Sequence, residues 1–429
     1  MMHETHYPRL DETAFRTVLP NGLTVCVVPK PGFTRKAAYF CTNYGSVHTS
    51  FTYGGKHYRV PDGIAHYLEH KMFDMPGGRD ISAEFAAVGA SSNAFTSYDM
   101  TAYYFTCTDR FETCLRLLLE FVSTPYYTQE TVDKEREIIA QEILMYLDSA
   151  DSRVFELLTE NLYKNHQVRV PIAGTVESIQ EIDPEVLYAC HKAFYCPANM
   201  MLCVVGDVDP EAVVRIAEEI LPRERAEVGV KQLGREENLL PVRECVTVEM
   251  DVAMPTFQLG FKCADDRKGE EFAHWEVVAE LAAEALFGES SPLYLRLYEQ
   301  GLIDSSFGGG LETVDGAAMF TCGGDSDDPE AVKEAILEEA EVLSRTGISE
   351  EAFLRTKRSF FGRRVKDLDS FESTCFRLCA YGLEDYDYFR FPETFDAVRT
   401  DEIRDFLREN VRRDRASMAI VEPRSGKEE

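Results

Sequence analysis

The chain has 429 residues, 45 of them Lys or Arg and 75 Asp or Glu, for a formal charge of −30. At 45% hydrophobic and 11% aromatic it can bury a large core, which excludes wholesale disorder, and at about 150 residues per domain it has room for two or three domains. The acidic balance argues against a nucleic-acid binder and against docking on anionic lipid, both of which need a basic face.

No run approaches the roughly 18 consecutive apolar residues of a membrane span. The opening MMHETHYPRLDETAF lacks the basic and apolar regions of a secretory signal. The twelve cysteines are scattered, most within apolar runs (Cys26, Cys107, Cys203, Cys263, Cys322). They read as small buried hydrophobes of a reduced, cytoplasmic protein. Cys375 and Cys379, four apart on an expected helix, read as core residues rather than metal ligands.

From the N-terminus, GLTVCVVPK and KAAYFCTNYG read as strands, a helix follows from about Asp62, and MTAYYFTCTD reads as a further strand. The helices FETCLRLLLEFVS and TVDKEREIIAQEILMYL come next. The second carries an apolar stripe of Val132, Ile139 and Leu147. NMMLCVVGDVD closes the first half as a fully buried strand. Strands first and last with helix pairs between them predict an α+β sandwich, a mainly antiparallel sheet with helices packed on one face.

The plan then repeats. FTC recurs at Cys107 and Cys322, and YLEHKMF lies over LAAEALF. TVDKEREIIAQEILMYLDS lies over EAFLRTKRSFFGRRVKDLDS, and EVLYACHKAFYCPANMMLCVV over EIRDFLRENVRRDRASMAIV. Four matches in the same order, each displaced by close to half the chain, indicate an internal duplication. The expected domains are 1–221 and 245–429, joined by the charged linker 222–244. The terminal EPRSGKEE is expected to fray.

Within PDGIAHYLEHKMF, His66, Glu69 and His70 stand at helical positions i, i+3 and i+4, within roughly one 100° arc. Two imidazoles one turn apart can hold one tetrahedral Zn²⁺, and the carboxylate between them can act as base toward a water there. A third ligand is needed. The helix at 131–147 offers Glu135 and Glu142, seven apart and therefore on one face. In the second copy, Glu280, Ala283 and Glu284 replace His66, Glu69 and His70, and Arg363 replaces Glu142. The scaffold occurs twice and the candidate metal set once, which points to a single working site.

LPNGLTVCVVPK, YGSVHTSF, DGIAHYLEHKMF, GASSNAFTSYDMTAYYF, KEREIIAQEI, AGTVESI and FYCPANMMLCVVGDVD follow in order. Together they resemble, over nearly the whole chain, the pitrilysin/insulinase family of inverted-motif zinc peptidases, in its short-chain branch with mitochondrial processing peptidase. Closer still is the resemblance to a bacterial subgroup linked to 5-aminopentanol modification of elongation factor P, where a zinc-motif protein is encoded with a partner lacking the motif. The resemblance implies two homologous domains of the LuxS/insulinase-like fold and zinc endopeptidase activity on extended peptides. It implies one Zn²⁺ per chain on His66, His70 and Glu142, with Glu69 as general base and Glu135 supporting the site. Asn93, Ala94 and Phe95 match the family's substrate-holding edge strand, and Tyr103 its strand tyrosine.

One segment departs from the family. Members that cleave alone carry an Arg and a Tyr in the second domain that grip the peptide. In LYLRLYEQGLIDSSF, Leu297 and Asp304 occupy those places and Arg296 is one position away. The expected assembly is therefore a two-chain clamp, with a homologous partner or a second copy supplying the grip. The rival expectations are a non-catalytic assembly subunit and an accessory peptide-binding subunit in a modification pathway. His48, His57, His166, His191 and His274 read as surface or satisfied core histidines. Gly308–Gly310 reads as a turn or close-approach strand, and Trp275 as packing.

Overall fold

The computed structural model describes residues 2–234, 237–264 and 267–424. Its strands are β1 (His3–Tyr7), β2 (Glu12–Val18), β3 (Thr24–Pro29), β4 (Lys36–Thr42), β5 (Ser50–Tyr53), β6 (Lys56–Arg59), β7 (Ser91–Thr96), β8 (Thr101–Cys107), β9 (Met200–Gly206), β10 (Val230–Lys231), β11 (Cys245–Met250), β12 (Thr256–Cys263), β13 (Gly308–Val314), β14 (Ala317–Asp325) and β15 (Ala416–Pro423). The helices of the first half are α1 (Ile64–Lys71), α2 (Ile81–Ala87), α3 (Phe111–Val122), α4 (Gln129–Leu147), α5 (Ala150–Leu162), α6 (Pro184–Phe194) and α7 (Pro210–Ile220). Those of the second are α8 (Gly269–Phe287), α9 (Pro292–Glu299), α10 (Pro329–Thr346), α11 (Glu350–Asp367), α12 (Phe371–Leu383), α13 (Phe391–Ala397) and α14 (Thr400–Asn410).

The chain divides into two compact units whose segments interleave. The first holds the residues up to Ile143, Pro171–Leu233 and Arg364–Phe391; the second holds Leu144–Val170, Gly234–Arg363 and the residues from Pro392 onward. Each sequence half thus lends one helix to the other half's sheet, α5 in one direction and α12 in the other, which a contiguous division at 222–244 does not capture.

In the first unit the sheet order is β1-β2-β3-β9-β4-β8-β7, with β3 and β9 parallel and the other neighbours antiparallel. Side chains alternate across a strand, so Val25, Val27, Ala38, Phe40, Leu202, Val204, Tyr103 and Phe105 share one face. They form the main core with Leu68 of α1, Leu118 of α3, Leu187 of α6 and Ile216 of α7. The opposite face receives α12, whose Cys375 thiol meets the Ala37 and Cys203 carbonyls at 3.8 Å each. With both faces covered, every residue of β9 is buried. The α+β sandwich is as expected, and the single helix on the second face is an addition to it.

The second unit repeats this core as β11-β15-β12-β14-β13, with β11 parallel to β15. Term by term this is the order β3-β9-β4-β8-β7, the structural form of the duplication. Phe320 of β14 packs against Phe287 of α8 at 5.3 Å and Phe406 of α14 at 5.2 Å. On the other face lies α5. A Cβ at Gly260 would come within 3.0 Å of Leu158 and Leu162, so glycine there permits the close approach of the helix. The LDS tripeptide of both copies has a local cause: Ser149 and Ser370 cap α5 and α12 by accepting from the amides of Ser152 and Ser373.

Three expectations are corrected. The segment 222–244 is more than a linker: Val230–Lys231 pairs with Phe51 and Thr52 in a small sheet of order β10-β5-β6. Ile143, not Leu147, completes the buried stripe of α4, and Leu147 is exposed. Glu422 and Pro423 belong to β15 rather than to a frayed end, and 425–429 lie outside the described residues.

Candidate metal centre

The site forms where α1 and α4 of the first unit meet the edge of its sheet. Gly63 opens α1 with φ 86°, and a Cβ there would stand 2.3 Å from the Ala173 carbonyl oxygen. Only glycine suits this left-handed, crowded start. Ile64, Tyr67 and Leu68 bury one side of the helix. The Tyr67 hydroxyl donates to the Val132 carbonyl of α4, tying the two helices together. The other side presents His66, Glu69 and His70.

The three groups converge with Glu142. His66 Nε2 lies 3.6 Å from Glu142 Oε1, and His70 Nε2 lies 3.4 Å from Glu142 Oε2. One ligand atom from each of His66, His70 and Glu142 falls within 4.8 Å of the others. The imidazole centroids are 4.6 Å apart. Behind His70, Nδ1 meets Glu135 Oε1 at 3.0 Å, the carboxylate backing that fixes the ring of a metal-binding histidine. Among the described residues, His66 Nδ1 is buried without a hydrogen-bond partner. Two imidazoles and a carboxylate form a three-donor set of the kind that leaves one position open on Zn²⁺, so the residues fit that ion.

Electrostatics agree with a cation site. Burial alone would lower the His70 pKa, but hydrogen bonds to Glu135 and Glu142 and the charge of Glu69 outweigh it and lift it to about 9. Burial alone would raise the pKa of Glu135, yet the His70 hydrogen bond holds its carboxyl below the usual range. Carboxylates crowded around two imidazoles give the cluster a strong affinity for positive charge, whether protons or metal.

Glu69 is buried, and its Oε2 accepts from the Thr96 hydroxyl at 2.6 Å. Thr96 ends β7, the outer strand of the sheet. Ala94 shares its face with Thr96, on the core and metal side. Asn93 and Phe95 point to the opposite face, where Phe95 meets Phe376 of α12 at 5.8 Å. Tyr103, expected among the peptide-binding residues, is corrected. It is fully buried, flanked by Phe121, with its hydroxyl 2.9 Å from that of Tyr195. It forms the wall behind the site and cannot touch a substrate. Thr96 was missed by sequence reasoning, although it stands in the SNAFT segment: a lone threonine carries no signal of the carboxylate it meets.

In the second unit, α8 and α11 replace the site with an ion pair. Arg363 lies 3.5 Å from Glu284, the positions that correspond to Glu142 and His70. Leu297 is buried, and Arg296 is engaged by Glu339 at 3.4 Å. The remaining histidines are satisfied. His48 accepts from the Gly45 amide at 2.9 Å, His166 and His191 meet the carbonyls of Asp315 and Val122, and His274 meets Glu402. His57 is exposed on β6. Gly308–Gly310 open β13, and Trp275 packs 6.0 Å from Phe406. Among the described residues no helix is long and apolar enough to cross a membrane.

Residues 54–176 match the family pattern described as Insulinase (Peptidase family M16), and 181–360 the Peptidase M16 inactive domain. A Bacillus subtilis protein named "uncharacterized zinc protease YmfH" is 37% identical over 99% of this chain and 100% of its own length. A second B. subtilis protein, "uncharacterized zinc protease YmxG", is 26% identical over 74% of this chain and 78% of its own. Among solved structures, an M16-like peptidase from Alicyclobacillus acidocaldarius superposes with a TM-score of 0.92 at 33% identity, covering 96% of this chain and 98% of that one. A Helicobacter pylori protease, at 19% identity and a TM-score of 0.82 over 96% and 99% of the two chains, shares the fold. With a relative matched from end to end at this identity, the chain belongs to peptidase family M16, the insulinase family.

Proposed function

We propose that the chain is a zinc-dependent endopeptidase for extended or unfolded peptides, with one Zn²⁺ held by His66, His70 and Glu142. The observation that carries this reading is the convergence of those three donors beside the buried Glu69 carboxylate at a sheet edge. When bound, the zinc ion supplies Lewis acidity that acidifies a water and stabilises negative charge developing on the scissile carbonyl. Glu69 accepts the proton of the attacking water and returns it to the leaving amine. Glu135 orients His70 through Nδ1. Asn93–Phe95 lie on β7, the outer strand of the sheet, to which an extended peptide adds as a further strand, displacing the Asn93 side chain that accepts from the Ala94 amide at 2.9 Å. A folded substrate has no free backbone to offer there.

The same reading gives this chain a catalytic place in a two-chain clamp. It is supported by the buried Leu297 and the engaged Arg296, which leave the second unit without the family's peptide grip, and by the resemblance to the subgroup encoded with a motif-lacking partner and linked to elongation factor P modification. Twelve free cysteines support a reducing, cytoplasmic setting. The test measures zinc per purified chain and chelator-sensitive cleavage of unstructured peptides, for the chain alone and with a homologous partner. One zinc per chain with cleavage raised by the partner is expected. Metal-free protein, or cleavage indifferent to chelator, would overturn the reading.

A further inference from the structure

We infer that Thr96 is a positioning residue for the Glu69 carboxylate, an inference that rests on the proposed role of Glu69. An ionised carboxylate only accepts hydrogen bonds, and a threonine hydroxyl donates one proton. At 2.6 Å the Thr96 proton is therefore committed to Glu69 Oε2, and a charge-assisted bond of this kind fixes an otherwise freely rotating carboxylate. Among the described residues Thr96 is the carboxylate's hydrogen-bond donor.

The donor is itself held from three directions. Across the strand pair Thr96 faces Thr101, whose hydroxyl donates to the Tyr44 carbonyl at 2.9 Å and stands 3.5 Å from the Thr96 oxygen. The next residues close a tight hairpin: the Ser97 amide donates to the Met100 carbonyl at 2.7 Å, and the Ser97 hydroxyl donates to Asp99 at 2.9 Å. The turn after β4 then clasps this hairpin. The amides of Ser46 and Val47 donate to the carbonyls of Ser97 and Tyr98 at 3.1 and 2.9 Å. A Cβ on Gly45 would stand 2.4 Å from the Asp99 amide nitrogen, so the clasp needs glycine. A continuous set of bonds thus runs from the Gly45–His48 turn through the hairpin to the proton acceptor, and sets where its oxygen sits. Proton transfer is sensitive to such placement, because a displacement of about 1 Å can cost about 100-fold in rate.

Thr96→Val keeps the β-branched shape that suits a strand and removes the hydroxyl; Thr96→Ser keeps the hydroxyl. Full-length zinc-loaded variants, in the assembly that cleaves, are assayed on a mixture of quenched unstructured peptides, and each variant is crystallised. Thr96→Val is expected to lower kcat about 10- to 100-fold with KM and zinc content unchanged, and to leave the Glu69 carboxylate turned or split. Thr96→Ser is expected to restore both the rate and the carboxylate position. In a Glu69→Gln background Thr96→Val is expected to add nothing. A Thr96→Val protein with wild-type kcat, a failed serine rescue, or an unmoved Glu69 carboxylate would each overturn the inference. Hydrolysis retained by Glu69→Gln would instead remove the assigned role of Glu69, and the crystallographic readout judges the positioning itself independently of turnover.

Discussion

Stripping metal from the protein and raising the pH from 6.5 to 9 should destabilise it, with His70 as the cause. The ring lies 3.0 Å from Glu135 and 3.4 Å from Glu142, and with no metal to compete for it these carboxylates lift its pKa from 6.5 to about 9. The folded state therefore holds this proton more tightly than the unfolded chain. The stabilisation is fully present below pH 6.5 and is lost as the pH rises through 9. At 1.36 kcal/mol for each tenfold change in proton affinity, the loss is about 3 kcal/mol. The ring is 24% exposed, so solvent screening trims this only modestly. For a cooperative unit of 150–250 residues the corresponding fall in Tm is about 6–12 °C. The assay is thermal unfolding of chelator-treated protein between pH 6 and 9.5, with His70→Gln as the reference that cancels other titrating groups. Zinc competes with the same proton, so its apparent affinity should rise across this interval. A wild-type curve parallel to that of His70→Gln would refute the reasoning.

Further outcomes follow from the same geometry. Glu135→Gln should weaken zinc binding about 10- to 100-fold and flatten the pH dependence of the metal-free protein; a competition titration with unchanged affinity would count against the backing role. Arg363→Ala should cost no more than about 1 kcal/mol, because the Glu284 pair is largely solvent-exposed on the arginine side, at 55%. A larger loss in urea unfolding would mean that the ion pair holds the second unit together. Ser149→Ala and Ser370→Ala should each cost about 1 kcal/mol by leaving a helix amide uncapped, measured the same way; silence in both would remove the cap as the reason for the repeated LDS.

Much of the site was legible because its logic is periodic. His66, Glu69 and His70 fall on one arc of any helix, and Glu135 and Glu142 on one face of another, so facing helices bring them together. The duplication was legible too, since apolar β9 and β15 close their halves alike and the helices α4 and α11 recur in the same order, each running into the same LDS. The exchange of α5 and α12 was not. An amphipathic helix states that it buries one face and is silent on which sheet receives it; sequence-distant contacts decide the matter, Cys375 with Cys203 for α12 and Leu158 and Leu162 with Gly260 for α5. Tyr103 misled because its strand position matches a binding residue while its face points into the core. Leu147 misled because the helical pattern extends to the end of α4, whereas Ile143 already closes the core one turn earlier and Leu147 is exposed.

The central claim is that His66, His70 and Glu142 hold a zinc ion for which Glu69 is the proton acceptor. It is tested most directly by measuring zinc content and peptide cleavage together in Glu69→Gln and His70→Ala. The account predicts that Glu69→Gln keeps its zinc and loses about 100-fold or more of its cleavage rate, while His70→Ala loses both metal and cleavage. Undiminished hydrolysis by Glu69→Gln, or full zinc retention with activity in His70→Ala, would contradict it.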